Sequence, residues 1–140
     1  MMILESRLFC TYNQKHMNTS NDHPIFQKMF NDIYPCYVAK AEKKGRTGEE
    51  VDKIILWLTG YSQGALTKSL KGEISLGDFI DHAPQLHPAR EKITGSICGI
   101  RVQDLEVGRM QELRYLDKLI DELAQGKDMQ KILRIDSEGM

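Results

Sequence analysis

The sequence predicts an all-α protein, and three observations carry that expectation. Thr47 and Glu50 stand in the S/T-x-x-E relation of a capping box, directly ahead of an apolar stripe. Met110, Leu113, Leu116, Ile120 and Leu123 recur at three- and four-residue spacing over 109–125. Gly45, Gly60, Gly72 and Gly126 each follow a periodic segment, where a residue free to adopt the left-handed conformation closes a helix.

Taken in order, residues 1–21 read as a poorly structured extension. Glu5 and Arg7 interrupt its apolar start, unlike the apolar region of a secretion signal, and Met17 offers an alternative start of translation. Asp22 or His23 then caps a helix with Pro24 in its first turn, one-sided through Ile25, Phe26, Met29, Phe30 and Ile33. Pro35, with a fixed φ and no amide hydrogen, predicts a new helix start. Val38, Ala41 and Tyr37 form its inner side up to Gly45.

Thr47 opens the next helix, whose stripe is Val51, Ile54, Ile55 and Leu58, and Gly60 ends it. Ser62 caps a short helix carrying Ala65, Leu66 and Leu70, and Ser75 with Asp78 opens another carrying Leu76, Phe79 and Ile80. Residues 84–92 read as a loop with a helical turn after Pro88. Residues 93–102 are ambiguous. Cys98, Ile100 and Val102 alternate as in a strand, whereas Ile93, Ile97 and Ile100 fit a helix. Because no second strand of convincing pattern is visible, a buried helix or extended core segment is expected. Met129, Ile132 and Leu133 line a final short helix, which leaves a single helical domain over 22–135 and a frayed tail at 136–140.

Composition narrows the function classes. A chain of 140 residues forms one domain that buries about two-thirds of its unfolded surface without staples. The three cysteines, at 10, 36 and 98, match neither a disulfide framework nor a metal knuckle and point to a reducing compartment. The expected location is therefore the cytoplasm, since no apolar run approaches the roughly 20 residues that span a bilayer. A net charge of −1 with mixed signs gives no reason to expect nucleic acid or membrane as a partner. The expected partner is an unidentified small molecule or protein, with self-association open. No cofactor and no metal are expected.

YPCYVAKAEKKGRT, EEVDKIILWLTGY, ICGIRV and MQELRYLDKLIDELAQGKDMQKILR, in that order, resemble the bacterial family catalogued as domain of unknown function 2200, over about Asp22 to Arg134. The resemblance implies a compact, all-helical orthogonal bundle of about six to seven helices in a small cytosolic bacterial protein, and it supplies no catalytic residues. Two features depart from the family pattern. Residues 1–21 lie outside it, and Val107-Gly108 stands where an Asp-Pro type of helix start is expected.

The candidate binding residues are aromatic or basic: Tyr34, Tyr37, Trp57 and Tyr61 in the best-defined hairpin, Lys40, Lys44 and Arg46 ahead of the Thr47 helix, and Arg101 beside Cys98. Each has a plainer reading, as the rim of a core or a solvated basic face. Asp78, Asp81, His82 and His87 cluster without the i, i+4 pairing that sets two imidazoles on one helix face, so they read as a solvated loop. Cys98 reads as a small buried hydrophobe.

Residues 54–71 have the outline of a helix-turn-helix with Gln63, Thr67, Lys68 and Lys71 toward a groove, but Leu56 and Ser69 occupy positions where a small and an apolar residue are usual. That weighs against duplex binding. Three readings result: a binding or interaction module, which leads because it needs no catalytic set; a nucleic-acid binder, favoured if those four side chains share one exposed face; and a small enzyme using Cys98, Asp104 or Glu106.

Overall fold

The computed structural model describes residues 21–135. The expectations for residues 1–20 and 136–140, including the alternative start at Met17, lie outside the described residues. Within them the chain forms α1 (Phe30–Lys43), α2 (Gly48–Thr59), α3 (Gln63–Lys71), α4 (Leu76–Asp81), α5 (Arg109–Ala124) and α6 (Met129–Ile132). Short 3-10 turns at Pro24–Gln27, Pro88–Lys92 and Val102–Asp104 and a hairpin of β1 (Ser96–Ile97) and β2 (Ile100–Arg101) complete it. The architecture is a helical bundle, as the sequence predicts.

The bundle is organised around α5, which packs against α1, α2 and α4. Its stripe of Met110, Leu113, Leu116, Leu119, Ile120 and Leu123 meets Phe30, Ala41, Val51, Ile54, Ile55 and Phe79 in one core. Gln111, Glu112, Arg114, Asp117 and Glu122 are buried as well, so α5 is enclosed on nearly all sides. A helix in that position must satisfy its polar side chains internally.

The chain between His23 and Lys43 corrects the expectation of a helix starting at Pro35. The break falls at Lys28–Met29 and Pro35 lies inside α1. Backbone pairing overrides the local signal: the Phe30 amide donates to Ile74 O at 2.8 Å, and the Leu76 amide donates to Lys28 O at 2.7 Å. This one-rung antiparallel bridge of Met29 with Ser75 fixes the start of α1. Upstream, His23 does cap its turn, with Nδ1 accepting from the Ile25 amide at 3.0 Å.

A second correction concerns 93–102. The strand partner missing from the sequence reading lies two residues downstream, with Ile97 opposite Ile100 and Ser96 opposite Arg101. Cys98 (φ 55°) and Gly99 (φ 81°) make the two-residue turn, both in the left-handed region that matches strand twist. Cys98 is therefore half-buried at a turn and not a core residue. Lys118 on α5 fastens the hairpin by donating to Ser96 O at 3.3 Å.

The α2 boundaries follow the sequence. The Glu50 amide donates to Thr47 Oγ1 at 3.2 Å and the Thr47 amide to Glu50 Oε1 at 3.0 Å, a complete capping box. At the other end Gly60 has φ 83°, and a Cβ there would sit 2.7 Å from Gln85 O. Glycine is needed twice over, for the left-handed backbone and for the close approach of residues 85–87. Those residues strap the end of α2, with the Gln85 amide donating to Thr59 O and the His87 amide to Leu58 O, each at 3.0 Å.

The start of α5 has an unusual solution. Gly108 brings no capping side chain, and the Met110 amide instead donates to Asn21 Oδ1 at 2.9 Å. The cap comes from a residue 89 positions earlier. An Asn side chain placed there does what an N-cap residue does locally.

Candidate functional site

The structure distributes the eight sequence-predicted residues over six places. Tyr34 and Tyr61 lie at the two ends of an aromatic row, in which Phe30 and Phe79 stack at 3.8 Å between centroids and Tyr61 stacks on Phe79 at 4.5 Å. The Tyr34 hydroxyl donates to Asp52, and the Tyr61 hydroxyl donates to Phe79 O at 2.7 Å. Burial, followed by the Asp52 carboxylate, pushes the Tyr34 phenol well above its usual value.

Tyr37 and Lys40 belong to the α1–α5 contact. Tyr37 is buried and donates to Asp117 at 2.6 Å, while Lys40 pairs with Asp121 at 3.3 Å. Arg46 ties the start of α2 to the end of α5: Nη2 donates to Glu50 at 2.9 Å, and Nη1 donates to Leu123 O and Lys127 O at 3.1 and 3.0 Å. Lys44 is exposed beyond α1. Trp57 stacks on His87 at 4.3 Å, and Arg101 pairs with Asp104 on the exposed hairpin side.

A second polar set, not singled out in the sequence, occupies the interior of α5. Arg114 is fully buried and donates to Asp117 at 2.9 Å. Asp117 thus receives Tyr37 and Arg114 together, and its burial pushes the carboxyl up against the pull of both. Glu112 accepts from Arg90 Nε at 2.9 Å, while burial raises its carboxyl above the usual Glu value. Glu122 accepts from Arg134 at 2.6 Å, and Gln111 donates to Val102 O and Leu105 O at 3.1 Å each. These groups are committed to one another, which is how a charged helix surface is held inside a core.

The acid and imidazole cluster separates in space. Asp81 pairs with Arg109, His82 Nδ1 lies 2.8 Å from Asp78 O, and His87 turns to Trp57. His87 Nδ1 accepts from the Ala89 amide at 3.0 Å, repeating the device at His23. The shared His-Pro dipeptide is the sequence signal for both. Arg109 also lies over the Phe26 ring, 5.7 Å from its centroid.

The outer face of α3 is different in kind. Gly60, Tyr61 and Ser62 form a three-residue turn between α2 and α3, and Ser62 Oγ caps α3 by accepting from the Ala65 amide at 3.1 Å. Leu66 is fully buried and Leu70 half-buried, so α3 rests on the bundle through these two. Ser62, Gln63, Gly64, Thr67, Lys68 and Lys71 are all exposed. Gln63 donates to Asp52 at 3.3 Å, whereas the side chains of Thr67, Lys68 and Lys71 make no hydrogen bond or ion pair among the described residues. Leu56 and Ser69, which weigh against the helix-turn-helix outline in sequence, are half-buried at the margin of this contact. This face holds a row of polar side chains outside the internal network.

No helix among the described residues is long and apolar enough to cross a membrane. No curated protein matches the chain. The crystal structure of uncharacterized protein SP1917 is similar at 40% sequence identity and a TM-score of 0.76, over 79% of this chain and 91% of that one. The family described as an uncharacterized protein conserved in bacteria, DUF2200, matches residues 24–134. On the family match across most of its length and the likeness to that structure, the chain belongs to DUF2200.

Proposed function

We propose that the protein is a binding or interaction module, in which the bundle is the scaffold and the outer face of α3 is the contact surface. The observation that carries this reading is the division of polar groups. The buried ionisable side chains of α5 are paired with side chains of α5 and of neighbouring segments, while Thr67, Lys68 and Lys71 project outward from a helix seated by Leu66. Groups locked in such pairs hold a scaffold in register; a row of exposed donors on a rigid helix suits recognition.

The test is a search for a native-state ligand. Mass spectrometry of molecules retained by the purified protein, followed by a thermal-shift panel of metabolites and peptides, reads it directly, because a ligand that binds only the folded state raises the melting temperature. A concentration-dependent rise that is lost when Thr67 and Lys68 are replaced by Ala supports the reading. Turnover of a panel compound that survives those replacements overturns it in favour of an enzyme.

A further inference from the structure

We infer that the partner of the α3 face is duplex nucleic acid, held through its phosphates by Lys68 and Lys71; this rests on the binding-module reading. Gln63, Thr67, Lys68 and Lys71 are all exposed on α3, the condition that favours a helix-turn-helix over an ordinary corner. The turn has three residues, Gly60 within it is left-handed at φ 83°, and the second helix has nine residues. With its side chains an α-helix is about 10–12 Å across, which a major groove about 12 Å wide admits. The outward positions of that second helix are the exposed ones here, and the inward contact is made by Leu66.

Charge complementarity selects the occupant. From Gln63 to Lys71 the helix carries two lysines and no carboxylate, and its other exposed polar side chains are Gln63 and Thr67. The nearest acid shown in contact with it, Asp52, is occupied by the Tyr34 hydroxyl and the Gln63 amide. Glu73 follows only after the helix has ended at Gly72. Leu70 at the inner margin supplies the packing that Ser69 does not, while Leu56 keeps the place where a small residue is usual.

The net charge of −1 sets the scale: attraction comes from the two lysines alone. Two phosphate contacts give a log–log salt slope near −2, so affinity falls about tenfold between 50 and 200 mM salt. Fluorescence anisotropy with a mixed-sequence duplex tests this on the full chain. The expected result is binding in about the micromolar range at 50 mM salt, with that slope. A double variant, Lys68→Ala with Lys71→Ala, loses at least about tenfold in affinity and keeps its melting temperature, since both side chains are exposed.

Absence of binding at 50 mM salt overturns the inference, as does binding that survives in the double variant. The thermal-shift search stands apart from both outcomes: a metabolite or peptide that stabilises the protein through Thr67 and Lys68 leaves the module reading in place while duplex binding fails.

Discussion

The Tyr37 hydroxyl donates to Asp117 at 2.6 Å, joining α1 to α5 across 80 positions of sequence in a fully buried setting that also holds Arg114. Removing either end leaves a different orphan. Tyr37→Phe deletes one donor and is expected to cost about 1–3 kcal/mol. Asp117→Ala leaves the Arg114 guanidinium buried without this carboxylate and is expected to cost about 3–5 kcal/mol. Urea unfolding of both variants checks the order, which reverses if the phenol rather than the ion pair dominates.

Two carboxylates give opposite pH signatures. Burial raises the Glu112 carboxyl above the unfolded value, so its contribution is full in acid and is lost as pH rises through the folded value. The cost of Glu112→Gln therefore shrinks as pH increases. The hydrogen bond from Arg109 lowers the Asp81 carboxyl, so its contribution is present above the unfolded value and is lost as pH falls through the folded one. The cost of Asp81→Asn grows with pH. Unfolding free energies measured between about pH 3 and pH 7 give the two slopes, and parallel slopes for the two variants contradict the assignment.

Gly60→Ala forces a Cβ against Gln85 O at 2.7 Å on a backbone with φ 83°. A loss above about 1 kcal/mol is expected, from backbone strain and displacement of the strap together. Trp57 is the only tryptophan in the chain, and it stacks on His87 within that strap. Its emission therefore reports the displacement: the variant shifts to the red, and an unchanged spectrum shows that the strap absorbs the methyl group without moving.

Asn21 allows a paired truncation. Starting at Met17 retains Asn21 and with it the cap on the Met110 amide. Asn21→Ala in the full chain removes the cap from the Met110 amide and is expected to cost about 0.5–2 kcal/mol. Thermal unfolding compares the two, and a drop of many degrees for the truncation alone assigns a packing role to residues before Met17.

Much of this fold is legible in the sequence because its signals are local. The Thr47 capping box, the left-handed Gly60, the Ser62 and Ser75 caps and the α5 stripe all act within about one turn of the residues that encode them. The failures are non-local. Pro35 yields to backbone pairing between Lys28–Phe30 and Ile74–Leu76, and Gly108 is served by Asn21. The hairpin at 96–101 escaped for a different reason, since its strands have two residues each and are too short to show alternation. Among the candidate residues, the tips of Tyr34, Tyr37, Tyr61 and Arg46 bind protein groups that periodicity cannot reveal. The exposure of the α3 face depends on which side Leu66 turns inward, and only the packed bundle fixes that.

The central position of α5 has a consequence for how the molecule is made. Translation delivers α1 through α4 first, yet the core that their apolar faces form is completed by Met110 to Leu123. A nascent chain ending before residue 109 is a shell without its axle. It exposes Phe30, Ile54 and Phe79 until the last quarter of the polypeptide arrives, and folding is therefore expected to be late and all at once. Stalled or truncated chains of this protein are correspondingly expected to be the aggregation-prone species, while the completed chain folds as a single unit.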